Sequence, residues 1–165
     1  MKTNIRIFAL LLVFSSTEMQ LINAQEKQEK KTKHEQMVKE LIDSRNYKIN
    51  VGTALPRRGR NVFLTSPYSL GVKNDSVFSW LPYYGRAYSI PYGGGNGLSF
   101  EAPIKTYKLL YDKKEAAKIE ITTQTEEDVF KFLITIYPTG CSHITVNMYN
   151  RESIDFSGDL EVKDK

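Results

Sequence analysis

Cysteine is almost absent from this chain: its 165 residues hold one, Cys141. No internal disulfide is available, so packing has to hold the fold, which suits a bacterial periplasm better than a disulfide-rich extracellular module. Histidine occurs twice, at His34 and His143, and neither has a metal-ligating partner one helical turn away. The sequence therefore implies no metal and no cofactor. Long hydrophobic runs are missing too. The longest, Ile7 to Phe14, falls well short of the roughly 20 residues that span a bilayer, so no transmembrane segment is expected once the N-terminal signal described next is cleaved. Charge of one sign is not gathered into a patch. The net charge is +4, with acidic residues interleaved among basic ones, and nucleic acid is not an expected partner.

What is present begins at the N-terminus. Lys2 and Arg6 precede the short apolar run, and a polar stretch follows it to Ala24, which is the order of parts in a secretory signal peptide. Cleavage is expected after Ala24. Ile22 is larger than the residue usual two positions earlier, so neighbouring positions stay open. No cysteine follows the run, so the expected product is exported, periplasmic or secreted, and not lipid-anchored.

Residues 25–45 read as a polar leader and helix, and 46–165 as an antiparallel β domain. The leader lacks large apolar side chains up to Gln36, then gains Met37, Val38, Leu41 and Ile42 at helical spacing, predicting a helix over about residues 28–44. From Tyr47 the period falls to two. Strands are expected at 47–51, 62–65, 68–72, 77–81, 107–111, 118–123, 130–136, 142–149 and 153–157, with a hairpin turn at Lys73-Asn74-Asp75-Ser76. Short connections favour antiparallel neighbours. Eight or nine strands predict a mainly β fold, an antiparallel barrel or a two-layer sandwich, carrying an N-terminal α-helix.

The most unusual segment runs from Leu81 to Phe100 and holds Tyr83, Tyr84, Arg86, Tyr88 and Tyr92 among glycines. Aromatic rings with polar tips and close backbone approach make these the candidate ligand-binding residues. The alternative is that the tyrosines plug one end of the β domain. Gly93 to Gly97 lacks the Lys-Ser/Thr of a phosphate loop and opens into a strand, which excludes that reading. Cys141 and His143 stand about 7 Å apart on one strand face, beyond the reach of an activated nucleophile. Arg57, Arg58 and Arg60 fit phosphate or carboxylate groups, although a solvated turn is the favoured reading. Glu126, Glu127 and Asp128 are expected to repel one another and stay solvated.

The hairpin Asn74-Asp75-Ser76-Val77, the stretch Leu81-Pro82-Tyr83-Tyr84-Gly85-Arg86-Ala87-Tyr88, Pro91-Tyr92-Gly93-Gly94 with Leu98 and Phe100, and Asn150-Arg151 with Ile154 and Gly158 resemble an exported bacterial family catalogued as domain of unknown function four-two-five-one. The resemblance implies a β-rich exported domain of Gram-negative bacteria and brings no activity or functional residues. It also makes Ser76, within Asp75-Ser76-Val77, a candidate O-glycosylation site. Many members look like lipoproteins; this chain departs by lacking the lipid-bearing cysteine.

No catalytic constellation emerges. The functional expectation is a non-catalytic binding or envelope-associated module with an envelope ligand or protein as partner. A hydrolase-type enzyme with residues distant in sequence, and a structural or assembly protein, remain as alternatives.

Overall fold

A computed structural model describes residues 28–89 and 96–162. The chain divides into two compact units, Met1–Gln36 and Met37–Lys165. In the first, residues 28–36 are helical and carry a Lys31–Glu35 pair at 3.8 Å, spaced to support an exposed helix. The expected signal peptide and Tyr92 lie outside the described residues.

The second unit is a closed antiparallel barrel of eight strands in sequence order. They are β1 (Asn46–Pro56), β2 (Val62–Lys73), β3 (Ser76–Leu81), β4 (Leu98–Tyr111), β5 (Ala117–Gln124), β6 (Val129–Ile136), β7 (Cys141–Met148) and β8 (Ile154–Leu160). Pairing of β1 with β8, from Ile49↔Leu160 to Pro56↔Ile154, closes the wall, so the barrel and not the sandwich is the solution adopted. Closure removes the unpaired strand edges that an open sheet would expose.

Alternation decides which side chains fill the barrel. Ile49 on β1, Leu70 and Val72 on β2, Ile119 and Ile121 on β5, Phe130 and Phe132 on β6, Ile144 and Val146 on β7 and Phe156 on β8 all point inward and are buried. Phe100 joins them with its ring centroid 4.3 Å from that of Phe130. Three hydroxyls in the wall each donate to a carbonyl: Ser79 to Leu98, Thr123 to Pro103 and Ser142 to Gly158, at 2.6, 2.7 and 2.9 Å. Such bonds offset the cost of burying a polar group.

The outward positions carry charge. Lys48, Lys108, Glu120, Lys131, His143 and Asp155 ring the exterior, with Glu120 held between Lys108 (3.6 Å) and Lys131 (3.1 Å). An apolar inside and a charged outside is the reverse of a barrel that faces lipid. Apolar side chains also reach the outside, among them Phe63 on β2, Leu110 on β4, Leu133 on β6, and Phe78 and Trp80 on β3, the last two opposite Gly71 and Ser69 of β2.

Two strands depart from the sequence expectation. β2 runs unbroken through Ser66-Pro67 instead of dividing into two, and β4 starts at Leu98 instead of Tyr107. Pro103 sits beside the register shift between Ile104 and Thr106, where a residue without an amide hydrogen is tolerated. Proline masks the strand without breaking it. Asn74 takes the predicted turn with φ of 54°.

The helix, α1 (28–43), ends one residue before the expected boundary. Arg45 adopts φ of 52°, and the Ser44 amide donates to the Glu40 carbonyl at 3.0 Å. Val38 and Ile42 are buried with the barrel core, so the last turns of α1 close the end where β4 finishes. Tyr111 donates its hydroxyl to Asp43 Oδ1 (2.6 Å), and Arg45 lies 4.4 Å from the Tyr107 ring centroid.

Candidate functional site

The other end of the barrel is formed by the β1–β2 loop (57–61), the described parts of the β3–β4 segment (82–89 and 96–97), the β5–β6 turn (125–128) and the β7–β8 turn (149–153). In a closed eight-stranded wall, β3 and β4 stand opposite β7 and β8. The β3–β4 segment nevertheless bonds to the β7–β8 turn, so it crosses the mouth.

Backbone pairing fastens that crossing. Ala87 bridges Arg151, the Tyr88 amide donates to the Asn150 carbonyl at 2.8 Å, and the Glu152 amide donates to the Arg86 carbonyl at 2.9 Å. The Tyr83 hydroxyl donates toward two carbonyls, Arg86 at 2.8 Å and Glu152 at 2.9 Å. Burial, with the Glu152 charge adding to it, pushes the Tyr83 phenol above its ordinary pKa, so it stays a donor.

Arg151 ties in two more elements. Its guanidinium is only 6% exposed; Nη1 donates to the Gly97 carbonyl and Nη2 to Glu127 Oε2, both at 3.1 Å, and the group lies 6.0 Å from the Tyr83 ring centroid. Glu127 Oε1 also accepts from the Asn96 amide at 2.9 Å. The ion pair thus pins the end of the segment that leads into β4, at Asn96 and Gly97, while the backbone bonds and the Tyr83 hydroxyl fasten the end that leaves β3. Asp128 accepts from the amides of Val129, Tyr149 and Asn150 at 2.8, 3.0 and 3.0 Å.

These bonds correct the expectation that Glu126, Glu127 and Asp128 are jointly solvated. Glu126 is exposed, but Asp128 is buried and Glu127 is paired, because guanidinium and amide donors replace the water each carboxylate gives up. No sequence signal joined Arg151 to Glu127. Their pairing depends on β5, β6, β7 and β8 meeting at one rim.

The structure separates the candidate tyrosines. Tyr83 is half-buried and packs against the core, as a plug would, whereas Tyr84, Arg86 and Tyr88 are exposed on the fastened backbone. Arg57, Arg58 and Arg60 come to the same rim, with Arg57 Nε donating to Ser153 Oγ at 2.9 Å. Two candidates far apart in sequence therefore share one end of the barrel. Ser76 is the first residue of β3, half-buried beside exposed Asp75, at the opposite end.

The remaining constellations gather no site. Cys141 and His143 face outward on β7, and His143 Nε2 is 4.0 Å from Asp155 Oδ1, beyond a hydrogen bond, with both side chains well exposed on the convex wall. Among the described residues, no group of three or more metal-ligating side chains comes together. Likewise no described helix is long and apolar enough to cross a membrane.

Fold and rim together define a filled, polar-walled antiparallel barrel, capped at one end by the last turns of a helix and crossed at the other by the tyrosine-bearing residues 83–88. The sequence profile of the family described as a domain of unknown function (DUF4251) matches residues 29–160, and the chain belongs to that family. A crystal structure of a DUF4251 family protein from Bacteroides eggerthii DSM 20697 is similar, with a TM-score of 0.60 at 16% identity, over 77% of this chain and 86% of that one. At that identity the likeness concerns the fold alone. A search of the curated proteins finds no match.

Proposed function

We propose that this protein is an exported, non-catalytic binding module of the bacterial envelope, and that the rim formed by the crossing segment is its recognition surface. The observation that carries the reading is the fastening of residues 83–88 to the β7–β8 turn. It holds Tyr84, Arg86 and Tyr88 exposed on a backbone fixed by the Tyr83, Ala87 and Tyr88 bonds. A surface ordered before its ligand arrives loses less entropy on binding. Tyrosine suits the task, giving a rigid apolar face with a polar tip.

Export rests on Lys2 and Arg6 ahead of the apolar run and on Ala24 as the cleavage residue. In that setting the mature protein is periplasmic or secreted and free of a lipid anchor, and Ser76 is a candidate acceptor for an O-linked glycan.

Hydrogen exchange on the mature chain, with and without an envelope polysaccharide extract, tests the reading. Slower exchange at residues 83–89 supports it. Unchanged exchange there with every envelope fraction counts against it.

A further inference from the structure

Two arginine side chains of the β1–β2 loop, and the backbone of a third arginine from the crossing segment, meet one two-residue step of the β7–β8 turn. Arg57 Nε donates to Ser153 Oγ at 2.9 Å, Arg58 Nε lies 3.7 Å from Glu152 Oε1, and the Arg86 carbonyl accepts from the Glu152 amide at 2.9 Å. The carboxylate in contact with this group is that of Glu152, whose side chain is 15% exposed against 68% for Arg58. Arg60 adds a further exposed guanidinium in the same loop. The other acids of the rim are spoken for or stand apart: Glu127 pairs with Arg151, Asp128 accepts three backbone amides, and Glu126 projects from the β5–β6 turn. Positive charge is therefore in excess on this side of the mouth, carried by planar forks that match carboxylate and phosphate oxygens.

Resting on the reading of the rim as a recognition surface, we infer that its ligand is an acidic polysaccharide. Sugar carboxylates would meet Arg57, Arg58 and Arg86, and sugar ring faces would lie on Tyr84 and Tyr88. The spread of the guanidiniums favours a chain over a single oxyanion. They sit on two loops and are mostly open to water, so none encloses a small ion, whereas a polymer with repeated charges engages several at once. The exposed rings supply what charge alone does not, an apolar face beside the arginines.

The test is titration of the mature chain with polygalacturonate and, in parallel, with neutral dextran, at low and raised salt. The expected result is binding of polygalacturonate in preference to dextran, weakening as salt screens the rim. The double variant R57Q/R58Q should bind on the order of tenfold more weakly. E152Q removes the carboxylate among the arginines and should bind several-fold more tightly, a gain that a purely structural role for Glu152 would not produce. Should R57Q/R58Q fail to fold, E152Q alone decides the matter. Equal binding of the two polymers, no binding of polygalacturonate, or no gain in E152Q overturns the inference. The Tyr84 and Tyr88 surface is read separately, by a loss of exchange protection from the envelope extract in Y84A/Y88A.

Discussion

Arg151 Nη2 and Glu127 Oε2 stand 3.1 Å apart at the mouth of the barrel and join the β7–β8 turn to the β5–β6 turn across 24 residues of sequence. The guanidinium is nearly buried, so removing either partner strands a charge. R151A should lose about 3 kcal/mol of stability. Y83F, which deletes one hydroxyl shared by two carbonyls, should lose about 1 kcal/mol. Denaturant unfolding of both variants checks the order, and a larger loss in Y83F would contradict it.

At the barrel seam, β8 passes β1 so closely that a Cβ at Gly158 would fall within 2.9 Å of the Asn50 carbonyl carbon and the Val51 Cα. These are backbone atoms and have no rotamer to give. G158A should therefore cost about 2 kcal/mol, visible as a lower thermal midpoint. An unchanged midpoint would mean the seam relaxes freely.

Trp80 is the sole tryptophan and is 58% exposed on the outer wall. Its fluorescence should be red-shifted and readily quenched by iodide in the folded state. W80A should change stability by no more than about 0.5 kcal/mol. A blue-shifted, protected emission would place the ring under a partner, such as a second copy of the chain.

Burial raises the phenol pKa values of Tyr47, Tyr107 and Tyr111 beside the helix end, with neighbouring tyrosines or Asp43 adding to the effect. A folded-state pKa raised above the unfolded value contributes stability fully present below about pH 10 and lost as pH climbs through the raised values. Unfolding free energy should hold steady from pH 7 to 9 and fall beyond about pH 10. Flat stability to pH 12 would contradict this.

Much of the barrel was legible because its signal is local. Ile119 and Ile121 alternate with Lys118 and Glu120, and Ile144 and Val146 with Thr145 and Asn147, and period two fixes which face is buried. The first half of β4 was hidden because Pro103 and Gly97 imitate a loop, while the register shift beside Pro103 leaves no trace in composition. Closure was equally silent, since Ile49 pairs with Leu160 through no short-range pattern. The rim shows the same limit. Tyr83 and Tyr84 are adjacent and chemically alike, yet one packs on the core and the other meets water. Arg151 falls between the strands expected at 142–149 and 153–157, where nothing in the sequence marks it, and is the buried tie of the crossing segment.

The central claim is that the fastened rim is where this protein meets its ligand. Hydrogen exchange of the mature chain in the presence of polygalacturonate tests it most directly. The account predicts slowed exchange at residues 57–60 and 83–89 with the rest of the barrel unchanged. Protection confined to the outer wall around Phe78 and Trp80, with the rim unaltered, would contradict it.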